Sequence, residues 1–325
     1  MTISDAPIVP MPAASDTTPL LPLEPARPAG AYLSEHTEEP ATRRHSVVRD
    51  LREIVEEMRH CGDLVQQLTL RDIRIRYKQA LLGFAWALLI PAAVVLAGMA
   101  VRVAMAYASG RHLDNNQLAG MAVKAVPWAF FVGCLNTGTA SLVSNKQLVT
   151  KIYFPREVLP LSSVLAQTFD SLVGGVLITV LLPFFGVRAS WQLLWVPVLL
   201  ALLWLFALAV ALFLSRANLF FRDVKYMVQV FLTFGIFVTP VILDAPMYGP
   251  RVAPIMMLNP VAPLLEGLRL AIVTHHGLLE PLAAPAGWPF WQPWHLAYSA
   301  AWAIGGLIAA AVLFHRSERR FAEVV

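Results

Sequence analysis

The sequence predicts an all-α integral membrane protein: six transmembrane helices, an N-terminal amphipathic interface helix, and short re-entrant helices before the last span. Three observations predict this class. Of the 325 residues, 57% are hydrophobic and only 14% are charged, where a water-facing surface takes roughly 25%. Mean hydropathy is +0.61. The apolar residues also gather into runs close to the roughly 20 residues needed to cross a hydrocarbon core about 30 Å thick.

Along the chain, residues 1–45 are rich in Pro, Ala, Ser, Thr and Glu. They contain no apolar run of signal-peptide length, and read as a disordered cytoplasmic tail. Residues 46–81 form the interface unit. Val47, Leu51, Ile54, Val55, Met58 and Val65 recur at helical spacing with Arg52, Glu53, Glu56, Glu57 and Arg59 between them, an amphipathic rather than a spanning pattern. The segment then turns basic, with Arg71, Arg74 and Lys78 at i, i+3 and i+7 on one face, as suits a helix beside anionic headgroups. Residues 82–325 form the six-span unit, with spans at about 82–106, 117–143, 158–187, 191–215, 226–243 and 294–314. Before the last span lie about fifty residues, 244–293, partly apolar and rich in Pro. Within them 261–272 is too short to span, so it is expected either to dip into the membrane and return or to lie on the outer surface.

Charge sets the orientation. With a cytoplasmic N-terminus, 19 of the 25 Lys and Arg fall in inside segments and four (Arg111, Arg188, Arg251, Arg269) in outside ones. That bias places both termini in the cytoplasm. The pI of about 9.2 reflects these inter-span charges and not a nucleic-acid-binding face.

Several functions are excluded or disfavoured. No GxxxxGK[ST] phosphate loop is present, so the chain does not cradle nucleotide by that route. No Ser-His-Asp or paired-carboxylate pattern stands out. Cys61 and Cys134 lie in segments of different character, no CxxC occurs, and the His residues, including His275-His276, are scattered, so no metal centre is expected. A membrane enzyme would call for an acidic or His cluster at one face, and a secondary transporter for coupling charges in two related halves; neither pattern is present.

Four juxtamembrane motifs do stand out: Leu70-Arg71-Asp72-Ile73-Arg74-Ile75-Arg76-Tyr77-Lys78 before the first span, Lys151-Ile152-Tyr153-Phe154-Pro155-Arg156-Glu157-Val158-Leu159-Pro160 after the second, Asn218-Leu219-Phe220-Phe221-Arg222-Asp223-Val224 after the fourth, and Leu258-Asn259-Pro260 before the sixth. Together and in this order they closely resemble the membrane subunits of type-2 ABC exporters that move O-antigen, capsule or teichoic-acid polysaccharides across the bacterial inner membrane. The likeness runs from Cys61 to Phe314. It implies a homodimer working with two copies of a cytoplasmic ATPase, which would bind ATP and Mg, while this chain holds no cofactor and is not itself an enzyme. It implies that the undecaprenyl-linked glycan or a similar lipid-anchored sugar is the substrate, and leaves export of a lipid or drug as the alternative. It also implies that Arg71, Asp72, Arg74, Arg76, Tyr77 and Lys78 belong to an interface or gate helix, and that Lys151, Tyr153, Phe154, Pro155, Arg156 and Glu157 form a loop that touches the ATPase.

The residues agree with these implications. A chain without a phosphate loop must receive work through protein contacts, and a short loop with aromatic anchors and charges suits docking into a partner groove; an ordinary positive-inside turn is the plain reading. The basic face at 71–78 suits lipid anchoring, or gripping a pyrophosphate through guanidinium forks. Asp170 is a mid-span carboxyl, costly unless buried and paired. Arg102 and Lys124 are its candidate partners, and a direct transport role is the other reading. Trp128, Phe130, Phe131, Phe234 and Phe237 are candidates to line a sugar path or else to pack, whereas Trp288, Trp291 and Trp294 suit an outer interfacial belt.

Overall fold

The computed structural model describes residues 47–78, 85–110, 115–151 and 154–324. The expected tail, residues 46 and 79–81 of the interface unit and Tyr153 of the expected ATPase-contacting loop lie outside the described residues. Eleven helices and one hairpin follow in order among those described: α1 (Val47–His60), α2 (Gly62–Tyr77), α3 (Ala85–Ser109), α4 (Asn115–Ser144), α5 (Lys146–Lys151), α6 (Val158–Leu181), α7 (Trp195–Phe220), α8 (Val224–Val238), α9 (Gly249–Met256), α10 (Val261–Ile272), β1 (Leu282–Ala283), β2 (Pro289–Trp291) and α11 (Trp294–Val324).

Four helical runs are long and apolar enough to cross a membrane: Asn115–Ser144, Val158–Phe185, Trp191–Phe220 and Trp294–Ser317. The apolar stretches Ala92–Ala108 of α3 and Val224–Val238 of α8 are shorter. The protein is therefore an all-α membrane protein apart from its small hairpin.

The bundle is built around α4. Its apolar window is 78% buried, against 11% for that of α6, so α4 is wrapped by protein while α6 faces outward. Contacts run from α4 to α3, α6, α7, α8 and α10, and from α7 to α11. Lipid tails are as apolar as Leu, so spans gain little from apolarity alone and pack through close approach of small residues. Gly138 shows this: a Cβ there would stand 2.7 Å from the Ala211 Cβ, which fixes how closely α4 and α7 can lie. Pro127 sits inside α4, tolerated because neighbouring helices surround that turn.

Two of the sequence motifs have clear structural work. Asn218 donates to the Thr139 carbonyl at 3.0 Å and accepts from the Lys225 amide at 3.3 Å, tying the end of α7 to α4 and to the start of α8. Asn259 donates to Thr239 Oγ1 at 2.9 Å and accepts from the Val261 amide at 3.2 Å. That Asx turn opens α10. The helix α10 is buried along almost its whole length against α4, α7 and α11, so it is part of the bundle and does not lie on its surface. The hairpin β1–β2, which the sequence pattern did not announce, is pinned by Trp291, which is fully buried and donates its indole N–H to the Leu278 carbonyl at 3.0 Å.

Candidate functional site

The geometry of α2 comes first. Val65 and Leu68 are its buried residues, and three polar ties hold its C-terminal half. Arg71 Nη2 donates to Asp72 Oδ1 and Asn145 Oδ1, both at 2.8 Å, which joins α2 to the elbow between α4 and α5. Arg76 Nη1 donates to Gln167 Oε1 at 3.0 Å and to the Asp170 carboxylate, and the Tyr77 hydroxyl donates to the other oxygen of Asp170. Gln167 and Asp170 lie nine and twelve residues into α6, or about 14 and 18 Å along its axis at 1.5 Å per residue. The end of α2 thus reaches well along a spanning helix. Arg74 and Lys78 remain exposed.

This corrects the expected partner of Asp170. It is buried and paired, but with Arg76 and Tyr77, and neither Arg102 nor Lys124 is near it. The reason is depth: Arg102 and Lys124 lie close to the α3–α4 turn, at the opposite end of the bundle from the start of α6. Space for the contact comes from α4, since a Cβ on Gly133 would stand 2.3 Å from the Gln167 side chain.

The loop at 151–157, expected to touch an ATPase, is largely covered by its own chain. Lys151 is exposed and Arg156 and Pro155 are half-buried, but Phe154 and Glu157 are buried. Phe154 belongs to the hydrophobic core, so it anchors the loop to its own chain and is not free to dock elsewhere. Glu157 Oε1 lies 3.5 Å from His315 Nδ1, and His315 Nε2 lies 3.8 Å from Glu53 Oε2. Arg316 Nε donates to Asp50 at 2.7 Å, and Asp50 is buried. Residues from α1, the loop and the end of α11 therefore meet in one polar cluster.

The pattern of the ABC-2 type transporter family matches residues 63–273, from the start of α2 to just past α10. The chain belongs to the ABC-2 type transporter family. It is similar to the O-antigen export system permease protein RfbA of Myxococcus xanthus, 29% identical over 276 residues, covering 84% of this chain and 99% of that protein. It is also similar to an O-antigen export system permease protein RfbA of Klebsiella pneumoniae, 26% identical over 208 residues, covering 64% of this chain and 79% of that protein.

Both α1 and α11 lie wholly outside the matched segment, yet they supply Glu53 and His315 to the loop cluster. The candidate aromatics divide into two sets. Trp128, Phe130 and Phe131 are buried at 5–7% exposure; Phe131 stacks on Phe206 at 5.9 Å and Trp128 packs on Gly235 of α8. These three pack inside the chain, and Phe130 also borders a groove. Phe234 and Phe237 are 63% and 62% exposed on α8, beside Phe231 at 73%. An open apolar groove of about 670 Å³ lies between α4, α6, α7 and α10, lined by Phe130, Val176, Leu200, Trp204 and Leu268 among others.

A five-residue ionic cluster among the described residues of the ABC-2 domain was not foreshadowed by the sequence pattern. At the opposite end from the loop cluster, Asp244 Oδ1 faces Lys124 Nζ at 2.7 Å, Arg102 Nη2 at 3.3 Å and Arg269 Nε at 3.6 Å. Arg269 also forks onto Glu266 Oε1 at 2.6 and 2.9 Å, and Lys124 lies 3.6 Å from Glu266 Oε2. Burial favours a neutral Asp244 carboxyl, but Lys124, Arg269 and Arg102 outweigh it and hold the group well below the usual carboxylate range. Gly120 makes room for the stem of Arg269, since a Cβ there would meet its Cδ at 3.0 Å. The available signal was the presence of Arg102 and Lys124 in apolar runs, which demanded buried carboxylates at the same depth.

Proposed function

We propose that the chain is the channel-forming subunit of an ATP-driven exporter that moves a lipid-linked, O-antigen-like polysaccharide across the bacterial cytoplasmic membrane. It works as a homodimer with two copies of a cytoplasmic ATPase, which bind the ATP and Mg. In this reading α3 and α8 complete six spans, and both termini are cytoplasmic. At 25 residues, α3 is about 37 Å long, enough to cross. The names of the two relatives support the glycan, and the positive-inside bias supports the orientation.

The observation that carries the reading is the attachment of α2. This basic amphipathic helix is fixed to α4 by Arg71 and to α6 by Arg76 and Tyr77, while Arg74 and Lys78 stay exposed. A helix held this way moves with the spans and still presents two cations to a phosphate-bearing headgroup. Lys151, which is exposed, and Arg156, which is half-buried, are the loop cations that would meet the ATPase. Because the loop is tied through His315 to α1 and α11, a push on it reaches three elements at once.

Co-expression of the full chain with the phosphate-loop ATPase encoded beside it tests this. A stable complex that hydrolyses ATP, with activity reduced by Arg156→Glu, is the expected result. Failure of the two proteins to copurify, together with unchanged ATPase activity on mixing, overturns the proposal.

A further inference from the structure

The buried cluster around Asp244 carries more positive than negative charge. It contains three permanent or near-permanent cations, Arg102, Lys124 and Arg269, and two carboxylates, Asp244 and Glu266. All three cations share one oxygen of Asp244. Arg102 is worst served. It is 3% exposed, and its Nε donates to the Ile242 carbonyl at 2.8 Å, yet neither Nη1 nor Nη2 has a hydrogen-bond partner within the described protein. Glu266 Oε2 likewise accepts no hydrogen bond and meets only Lys124, at 3.6 Å. Lys124, by contrast, is satisfied, donating to Asp244 and to the Leu243 carbonyl at 3.3 Å.

A buried ion costs several kcal/mol unless it is compensated, and an unmatched guanidinium fork is the group most suited to a tetrahedral oxyanion. We propose that Arg102 and its neighbours form a binding site for a phosphate-class monoanion, whose single charge balances the cluster and whose oxygens accept from Nη1 and Nη2, neither of which makes a hydrogen bond although Nη2 lies 3.3 Å from Asp244 Oδ1. The ligand is either the phosphodiester headgroup of an anionic phospholipid or free phosphate. Glu266 and the second share of Arg269 stay paired to each other and set the limit of one negative charge. Four of the five side chains are buried and that of Arg269 is only 11% exposed, so the anion enters as the turn Ala245–Tyr248 or α10 shifts. Only the leaflet from which a lipid would come rests on the topology proposed above.

The test uses the full chain purified in a neutral detergent, with melting followed as inorganic phosphate replaces chloride at constant ionic strength. A saturable rise of about 4 °C is expected at saturating phosphate, lost in Arg102→Gln and weakened in Arg102→Lys, which keeps the charge but not the fork. Absence of a rise, or an equal rise in a folded Arg102→Gln, overturns the site. If Arg102→Gln does not fold, Arg102→Lys decides, since a rise equal to wild type overturns it. A second arm compares nanodiscs of phosphatidylcholine with and without phosphatidylglycerol: stabilisation there as well as in phosphate assigns the headgroup, and stabilisation by phosphate alone assigns the free anion. Detergent exposes both ends of the protein, so an inverted topology leaves the phosphate result unchanged and the two failures are distinguishable.

Discussion

If Arg76 and Asp170 hold α2 to the bundle, then removing the carboxylate charge should destabilise the fold only while the arginine is present. The magnitude follows from exposure. The Asp170 side chain is 10% exposed and that of Arg76 is 31% exposed. Breaking a fully buried pair costs about 3–5 kcal/mol, because the remaining charge is stranded, whereas an exposed pair is worth about 0.2–1 kcal/mol. With one partner buried and the other a third open to solvent, Asp170→Asn is expected to cost about 2 kcal/mol. An asparagine keeps the shape and still accepts from Tyr77, so in an Arg76→Gln background the same change should cost only about 0.5 kcal/mol. The coupling is then about 1.5 kcal/mol, measured by a double-mutant cycle of unfolding in detergent with all four proteins eluting as the same species. Limited proteolysis after α2 supplies an independent readout, with faster cleavage in Asp170→Asn. A coupling below about 0.5 kcal/mol would refute the attachment of α2 through this pair.

Three further outcomes follow from the same geometry. Lys124→Met removes the nearest cation from Asp244 and the one that faces Glu266 Oε2, while Arg102 and Arg269 still face Asp244 and Arg269 still forks onto Glu266, so it should cost about 1–3 kcal/mol in the same unfolding assay; a loss under about 0.5 kcal/mol would contradict its place in that cluster. Gly133→Ala places a Cβ 2.3 Å from Gln167 and should cost about 1–3 kcal/mol, whereas Gly62→Ala meets nothing within 4 Å and should be neutral or stabilising by up to about 1 kcal/mol. Cys134 is fully buried and Cys61 half-buried, so the natural chain reports its own topology: an impermeant maleimide should label Cys61 only after the membrane is opened, while Ala286→Cys in the hairpin turn should react from outside. Burial, with Glu57 adding to it, raises the Cys61 thiol pKa, so less thiolate is present at neutral pH and the labelling rate should still be climbing as pH passes 8.5.

Much of the bundle was legible because span length and helical period are local properties. The runs that became α4, α6, α7 and α11 each carry enough apolar residues to declare themselves, and α10 was visible as an apolar run too short to cross. What was not legible was which distant polar groups would meet. Asp244 and Arg269 read as outside-loop charges, and nothing in the spacing says that Asp244 folds back onto Lys124 or that Arg269 pairs with Asp244 and Glu266. Asp170 was correctly expected to be paired, but its partner came from α2, because that helix climbs along α6 instead of staying at the interface. Burial of Phe154 was likewise hidden: an aromatic in a polar loop suits an anchor to a partner or to its own core equally well, and only packing decides. The hairpin β1–β2 has strands of two and three residues, below the length at which alternation can be read.

The most direct measurement of the proposed function is made in cells whose copy of this chain has been deleted. The account predicts that the surface glycan disappears while its lipid-linked precursor accumulates at the cytoplasmic face, that the intact chain restores export, and that Arg156→Glu does not. Normal surface glycan in the deletion, with no accumulated precursor, would contradict it.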